Sequence, residues 1–259
     1  MEVSESPFSF PKPTSLINRI LELGAPGADD IVLDFFAGSG TTGHATLIKN
    51  SVDQARRRYI LVQLPEPLDP NNKEQKAAVD YCDTIKRPRN IAELTKERLR
   101  RAGTKVRADN PLFVGDTGFR VFKLNTSNIR AWNPNPVDLN QTLFNHQDHL
   151  MDGRTESDVL YELLLKLGLD LCVPIAKRVV AGKDIHSVGG GVLIACLANH
   201  IEAAEVEAVA QGIAVWRKEL VPAGDTTCVF RDSAFADDVA KTNMAAILEQ
   251  NGIANVRSL

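Results

Sequence analysis

The residues best placed to do chemistry lie between Ile31 and Ala45, where three apolar residues run into Asp34 and then into a glycine-rich stretch. The pattern is that of a strand, a tight turn and a helix N-terminus. Gly38, Gly40 and Gly43 spell Gly-x-Gly-x-x-Gly, a nucleotide-cofactor fingerprint when it follows a strand. Glycine serves there because the backbone turns sharply and a ligand must approach without a Cβ in its way. A tight strand-to-helix turn can also use glycines for local reasons, so Asp34 carries the discrimination. It stands at the carboxyl end of the strand, where ligands bind in open parallel sheets. A carboxylate there repels a pyrophosphate such as that of NAD and favours S-adenosylmethionine (AdoMet), which carries a sulfonium and an ammonium. The competing reading is that Asp34 only caps the turn.

Composition sets the frame for that turn. A chain of 259 residues is long enough for one large domain or two ordinary ones. Its 44% hydrophobic and 24% charged residues are those of a soluble globular protein. No apolar run reaches the ~18 residues of a membrane span and no signal peptide opens the sequence. Cys82, Cys172, Cys196 and Cys228 form no Cys-x-x-Cys pair, which argues against a zinc site or a disulfide frame and for free thiols in a reducing cytoplasm. Residues 1–107 hold 17 Lys+Arg against 14 Asp+Glu, whereas residues 108–259 hold 13 against 19. A mildly basic first part is compatible with nucleic acid without requiring it. The clusters Arg56-Arg57-Arg58, Lys86-Arg87-Pro88-Arg89 and Arg98-Leu99-Arg100-Arg101 read as solvated faces.

The elements around the turn follow from periodicity. Leu16, Ile17, Ile20, Leu21 and Leu23 predict a helix with Pro13 in its first turn and Gly24 at its end. Thr42 to Lys49 reads as a helix and Arg58 to Leu64 as a second buried strand, parallel to the first. Gln63 and Glu66 stand where a ribose-binding acid is expected. Asn71–Asp80 is an exposed loop or short helix, Ile91–Arg101 a helix, and Ala102–Asp116 a linker. Gly118 to Leu124 alternates as a half-exposed strand, and Asn125–Asn145 is irregular. Thr155 with Asp158 caps a helix whose face is Val159, Leu160, Leu163, Leu164 and Leu167. Gly189-Gly190-Gly191 lies between strands with no helix behind it, so it predicts a hairpin rather than a phosphate loop. A helix at Ile201–Gln211, a strand at Thr227–Phe230, a helix at Asp237–Asn251 and a short last strand complete a second α/β region without a catalytic constellation. His146 and His149 have no evident metal partners and read as surface loop residues.

Phe10-Pro11-Lys12-Pro13 followed by Asp34-Phe35-Phe36-Ala37-Gly38-Ser39-Gly40-Thr41-Thr42 resembles the AdoMet-binding half of the amino-methylating DNA methyltransferases, in the order of their β group. Arg58–Glu66, Phe119–Leu124, Asp158–Lys166 and Phe235–Asn243 resemble the modification subunit of type III restriction systems. The resemblance implies a role for each matching residue. Asp34 holds the methionine ammonium, directly or through water, and Phe10 belongs to the same cofactor site. Phe36 packs on the cofactor, and Ala37, Gly38, Ser39 and Gly40 bring backbone close to it. Lys12 and Pro13 line the methionine end, and Thr41 and Thr42 bond the methionine moiety or cap the helix. Gln63 stands where relatives of this kind often carry a glutamate for the ribose hydroxyls, and a glutamine oxygen can still accept one hydrogen bond.

One part of the family pattern is absent. The catalytic Asp/Asn-Pro-Pro-Tyr/Phe motif holds the target amine and stacks on a flipped base, yet this sequence has no Pro-Pro dipeptide. In the β order that motif precedes Phe10, so the expectation is a C-terminal portion of a longer enzyme. The expected fold is α/β, a Rossmann-like AdoMet-dependent methyltransferase half (1–107) with a second, smaller α/β C-terminal domain (108–259) for self-association or subunit docking. The expected function is adenine-specific methylation of DNA from AdoMet, with no catalytic residue and no metal site in this portion. The expected partners are double-stranded DNA through the complete enzyme, a second copy and a restriction subunit, in the cytoplasm and with no membrane. A non-catalytic AdoMet-binding assembly module, a cytosine-amine DNA or RNA methyltransferase and an NAD-binding oxidoreductase are the alternatives.

Overall fold

The computed structural model describes residue 8 and residues 11–130 and 150–259. It is a mixed α/β protein that divides into two compact units, Met1–Val121 and Phe122–Leu259. The second is the longer of the two, where the sequence reading expected the smaller. Phe10, His146 and His149 lie outside the described residues.

The first unit is built on a two-stranded parallel sheet, β1 (Ile31–Asp34) and β2 (Arg58–Leu61), in the register Ile31 to Arg58 and Asp34 to Leu61. Helix α1 (Thr14–Gly24) precedes it and α2 (Thr41–Asp53) joins the strands. Pro13 is the extended residue just ahead of α1 rather than part of its first turn. One face of the sheet is covered: Val32 packs with Ile17, Leu21, Ala25 and Ala45. The other face is bare, with Ile31, Leu33, Ile60 and Val62 all exposed. Helices α3 (Lys76–Thr84) and α4 (Ile91–Asp109) follow, with Leu68, Ala78, Val79, Cys82 and Leu94 packed together.

Helix α4 continues through residues expected to form a linker. The α4 glycine, Gly103, survives inside the helix because the returning chain crosses it: a Cβ at Gly103 would lie 2.9 Å from the Thr117 carbonyl oxygen. Phe113 then closes on Leu47, Ala102 and Val106. The alternating run Gly118–Leu124 forms no strand; alternation gives a strand only where a neighbour offers backbone to pair with, and Phe119 instead meets the guanidinium of Arg100. The basic cluster at 56–58 is not wholly solvated either. Arg57 is buried, donating from Nε to the Ala25 carbonyl at 2.8 Å and pairing with Asp53 at 2.8 Å.

The second unit holds a five-stranded sheet in sequence order: β3 (Ile175–Val180), β4 (Lys183–Val188), β5 (Leu193–Cys196), β6 (Thr227–Phe230) and β7 (Asn255–Ser258). The first two pairings are antiparallel and the last two parallel. Gly189–Gly191, all at positive φ, make the hairpin turn from β4 to β5. Helix α5 (Glu156–Lys166) carries the expected capping box, in which Asp158 N donates to Thr155 Oγ1 and Thr155 N to Asp158 Oδ2. Thr155 N and Thr155 Oγ1, both donating to the carboxylate, hold the Asp158 carboxyl below its usual range.

Helices α6 (Val206–Leu220) and α7 (Asp238–Gln250) are the crossovers of the parallel pairs. Helix α6 begins and ends later than the expected 201–211. Its early residues turn as a short 3-10 segment, and the helix passes through Gly212, where a Cβ would lie 2.2 Å from Val180 Cγ1. Both faces of this sheet are filled. Ile194, Cys228 and Phe230 pack with Ile213 and Met244, and Leu193, Ala195 and Val229 pack with Leu160 and Leu164.

Candidate functional site

The glycine turn lies between β1 and α2, and each glycine has its own reason. Gly38 and Gly40 adopt left-handed backbone, φ +48° and +75°. A Cβ on Gly43 would lie 2.7 Å from Leu99 and 3.0 Å from Leu61, so this position sets the close approach of α2 to α4 and the sheet. Backbone bonds then lock the shape. Ala37 N donates to the Val62 carbonyl at 3.1 Å and Gly40 N to the Ala37 carbonyl at 2.7 Å.

Asp34 sits at the end of β1 and its carboxylate faces the turn. Oδ2 accepts from Thr42 Oγ1 at 2.6 Å and Oδ1 from Phe36 N at 3.1 Å. The turn-capping contacts are present: two neutral donors orient the carboxylate, and no basic side chain pairs with it among the described residues. Phe36 lies beside it with 89% of its surface exposed. Helix α2 opens at Thr41 with no side-chain cap, so its first N–H groups add partial positive charge next to that carboxylate.

Of the remaining candidates, the structure ties Gln63, Thr41 and the Lys12 carbonyl to the same turn and leaves Glu66 away from it. Gln63 Oε1 accepts from Gly38 N at 2.7 Å while its Nε2 donates to the Leu64 carbonyl, so its first task is to hold the turn. Glu66 is exposed, and its carbonyl accepts from Ile91 N. Thr41 Oγ1 donates to the Lys12 carbonyl at 3.2 Å and lies 3.0 Å from Ser39 Oγ; this ties the Lys12-Pro13 segment to the turn.

Two contributors escaped sequence reasoning. Thr95 donates from Oγ1 to the Gly38 carbonyl at 2.5 Å, and Arg98 Nη1 reaches Ser39 Oγ at 2.7 Å and Thr41 Oγ1 at 2.8 Å. Arg98 belongs to a cluster expected to be solvated, yet its guanidinium points inward and burial lowers its pKa. The signal that finds it is helical spacing: residues 91, 94, 95, 98, 99 and 102 share one stripe of α4, and Leu94, Thr95, Leu99 and Ala102 are its buried members. Neighbouring His44 Nδ1 is 3.4 Å from Arg98 Nε; burial first, then the charges of Arg98 and Lys105, hold its pKa below 6.5.

Among the described residues no group of His, Cys, Asp or Glu is placed to hold a metal ion, and no helix is long and apolar enough to cross a membrane.

The carboxylate at the strand end, the glycine turn and the exposed aromatic lie within residues 2–62, which match a family profile described as a DNA methylase. The chain is similar to the modification subunits of type III restriction-modification enzymes. It is 39% identical over 119 residues to the StyLTI Mod subunit of Salmonella typhimurium, covering 46% of this chain and 17% of that protein. It is 33% identical over 186 residues to the EcoP15I Mod subunit of Escherichia coli, covering 71% and 26%. The Type II methyltransferase M.KpnI of Klebsiella pneumoniae is 35% identical over 92 residues, covering 36% and 20%. The chain thus spans about a quarter or less of the length of these curated relatives.

Proposed function

We propose that the first unit is the AdoMet-binding part of a Rossmann-like methyltransferase domain, and that the complete enzyme methylates the exocyclic amine of adenine in DNA. The observation that carries this reading is the Asp34 carboxylate, oriented by Thr42 and Phe36 N and unpaired with any basic side chain among the described residues. It supplies the negative charge that a sulfonium–ammonium ligand needs and that a pyrophosphate would resist. Exposed Phe36 offers a flat apolar surface, Gly38 and Gly40 let the ligand approach the backbone, and Lys12-Pro13 borders the amino-acid end. Gln63, engaged with Gly38 N, keeps one lone pair for a ribose hydroxyl.

AdoMet supplies an electrophilic methyl group. Held by Asp34, Phe36 and the glycine turn, it would give that methyl to an adenine amine, which would lose a proton, with S-adenosylhomocysteine as the second product. This chain's residues orient one reactant; positioning of the amine falls to a segment bearing the Asp/Asn-Pro-Pro-Tyr/Phe motif, which this sequence lacks. Loss of such positioning costs about 7–11 kcal/mol of barrier reduction, so the chain alone has no measurable turnover. The bare sheet face of Ile31, Leu33, Ile60 and Val62 is the seat for that segment, because parallel sheets are covered on both faces and the relatives are longer than this chain. The second unit serves self-association or docking of a restriction subunit, a role supported by its separate compact core and by the restriction-modification enzymes the chain resembles.

The test is photo-crosslinking with methyl-labelled AdoMet, followed by transfer to mixed-sequence DNA with and without a motif-bearing segment of a relative. Label on residues 31–45 and transfer only in the presence of the added segment support the reading. Label confined to the second unit, or transfer by this chain alone, overturns it.

A further inference from the structure

We infer that Arg98 is the positioning residue of the cofactor turn: one guanidinium nitrogen fastens the two sequence-distant ligand segments, Lys12-Pro13 and Ser39-Gly40-Thr41, to helix α4. The inference rests on the AdoMet reading for its ligand and on the geometry for its mechanism. The protons of this network can be placed one by one. Arg98 Nη1 carries two, one directed to Ser39 Oγ and one to Thr41 Oγ1. Ser39 Oγ then gives its proton to Thr41 Oγ1, and Thr41 Oγ1 gives its own to the Lys12 carbonyl. In this arrangement both Nη1 protons and both hydroxyl protons are used, and the Lys12 carbonyl is satisfied.

Burial makes the network matter. Ser39 and Thr41 are buried polar residues, and an unsatisfied hydroxyl there is costly. Arg98 itself has no carboxylate partner among the described residues, although Arg100 and Arg101, on the same helix, both pair with Glu97. A half-buried guanidinium spent on two neutral hydroxyls is an unusual use of charge, and it is explained by the place those hydroxyls hold in the turn. Thr95, one helical step earlier, draws the Gly38 carbonyl toward α4 in the same way. With carbonyl and hydroxyls bound on the α4 side, the exposed side of the turn presents Phe36 and the Asp34 carboxylate. A lysine cannot reproduce this arrangement, because its ammonium ends a shorter stem and lacks the planar fork.

The experiment compares the full-length chain with Arg98→Met, which keeps an apolar stem of similar reach, and with Arg101→Met, which removes a guanidinium facing Glu97 and Tyr81. Three quantities are read: AdoMet affinity by calorimetry, amide exchange of residues 37–44, and the urea midpoint. In Arg98→Met the affinity falls about tenfold or more and exchange of 37–44 quickens by a similar factor, while the midpoint and the exchange of α4 stay near wild type. Arg101→Met leaves all three unchanged. Unaltered affinity and exchange in Arg98→Met overturn the inference, as does a loss that only tracks a lowered midpoint. Should the wild-type chain bind no AdoMet, the AdoMet reading fails, and exchange of 37–44 still decides the role of Arg98.

Discussion

The two sheets of this protein solve the same problem to different degrees. The five-stranded sheet of the second unit is packed on both faces, and its central strand β5 is buried at every residue. The two-stranded sheet of the first unit is packed on one face only, and exposed and half-buried residues alternate along both strands. Parallel strands are ordinarily buried on both sides. The contrast separates a finished core from a platform: the closed sheet spends its three consecutive glycines on a hairpin, and the open sheet carries the glycine turn at its carboxyl end.

That contrast predicts how unequally the two units respond to substitution. Phe230, fully enclosed in the closed sheet, should cost about 3–5 kcal/mol when truncated to Ala, measured by urea unfolding with Trp216 fluorescence in a Trp132→Phe background. A cost below about 1 kcal/mol would mean that this core is looser than its packing shows. In the first unit, Gly43→Ala should cost about 1–3 kcal/mol, because the new methyl meets Leu99 and Leu61. Hydrogen exchange of α2 reads that effect separately from the second unit.

Leu33→Glu should change the stability of the isolated chain by no more than about 0.5 kcal/mol, since Leu33 is 48% exposed. The same substitution should abolish methyl transfer restored by an added motif-bearing segment, and full transfer would show that this face is not the seat. The smallest effect belongs to His44. Burial first, then the charges of Arg98 and Lys105, lower its pKa in the folded chain below the 6.5 of the unfolded chain. Its contribution is therefore fully present above pH 6.5 and is lost as pH falls through its lowered value. His44→Gln should flatten the stability profile of the first unit just below pH 6.5 and leave it unchanged above.

Much of the site was legible in residue order because it is local. Asp34, Phe36 and the glycines lie within ten residues, and strand, turn and helix signals agree there. The capping box at Thr155 and the triple-glycine hairpin were legible for the same reason. What escaped depends on contacts made far along the chain. Arg98 and Thr95 meet the turn across more than fifty residues, and nothing in a run of arginines says which one points inward until helical phase is applied. The extension of α4 past Ala102 and of α6 through Gly212 was hidden because a glycine reads as a breaker unless its packing partner, Thr117 or Val180, is known. The run Gly118–Leu124 failed in the opposite sense: it has a strand's alternation and no strand to pair with.

The central claim is that the Asp34 carboxylate selects a cationic cofactor at this turn, and calorimetry of the full chain with AdoMet and with NAD tests it most directly, for wild type and Asp34→Ala. The account predicts that wild type binds AdoMet and not NAD, and that Asp34→Ala weakens AdoMet binding about tenfold to a hundredfold with little change in the unfolding midpoint. Tighter binding of NAD than of AdoMet, or equal AdoMet affinity in both proteins, would contradict it.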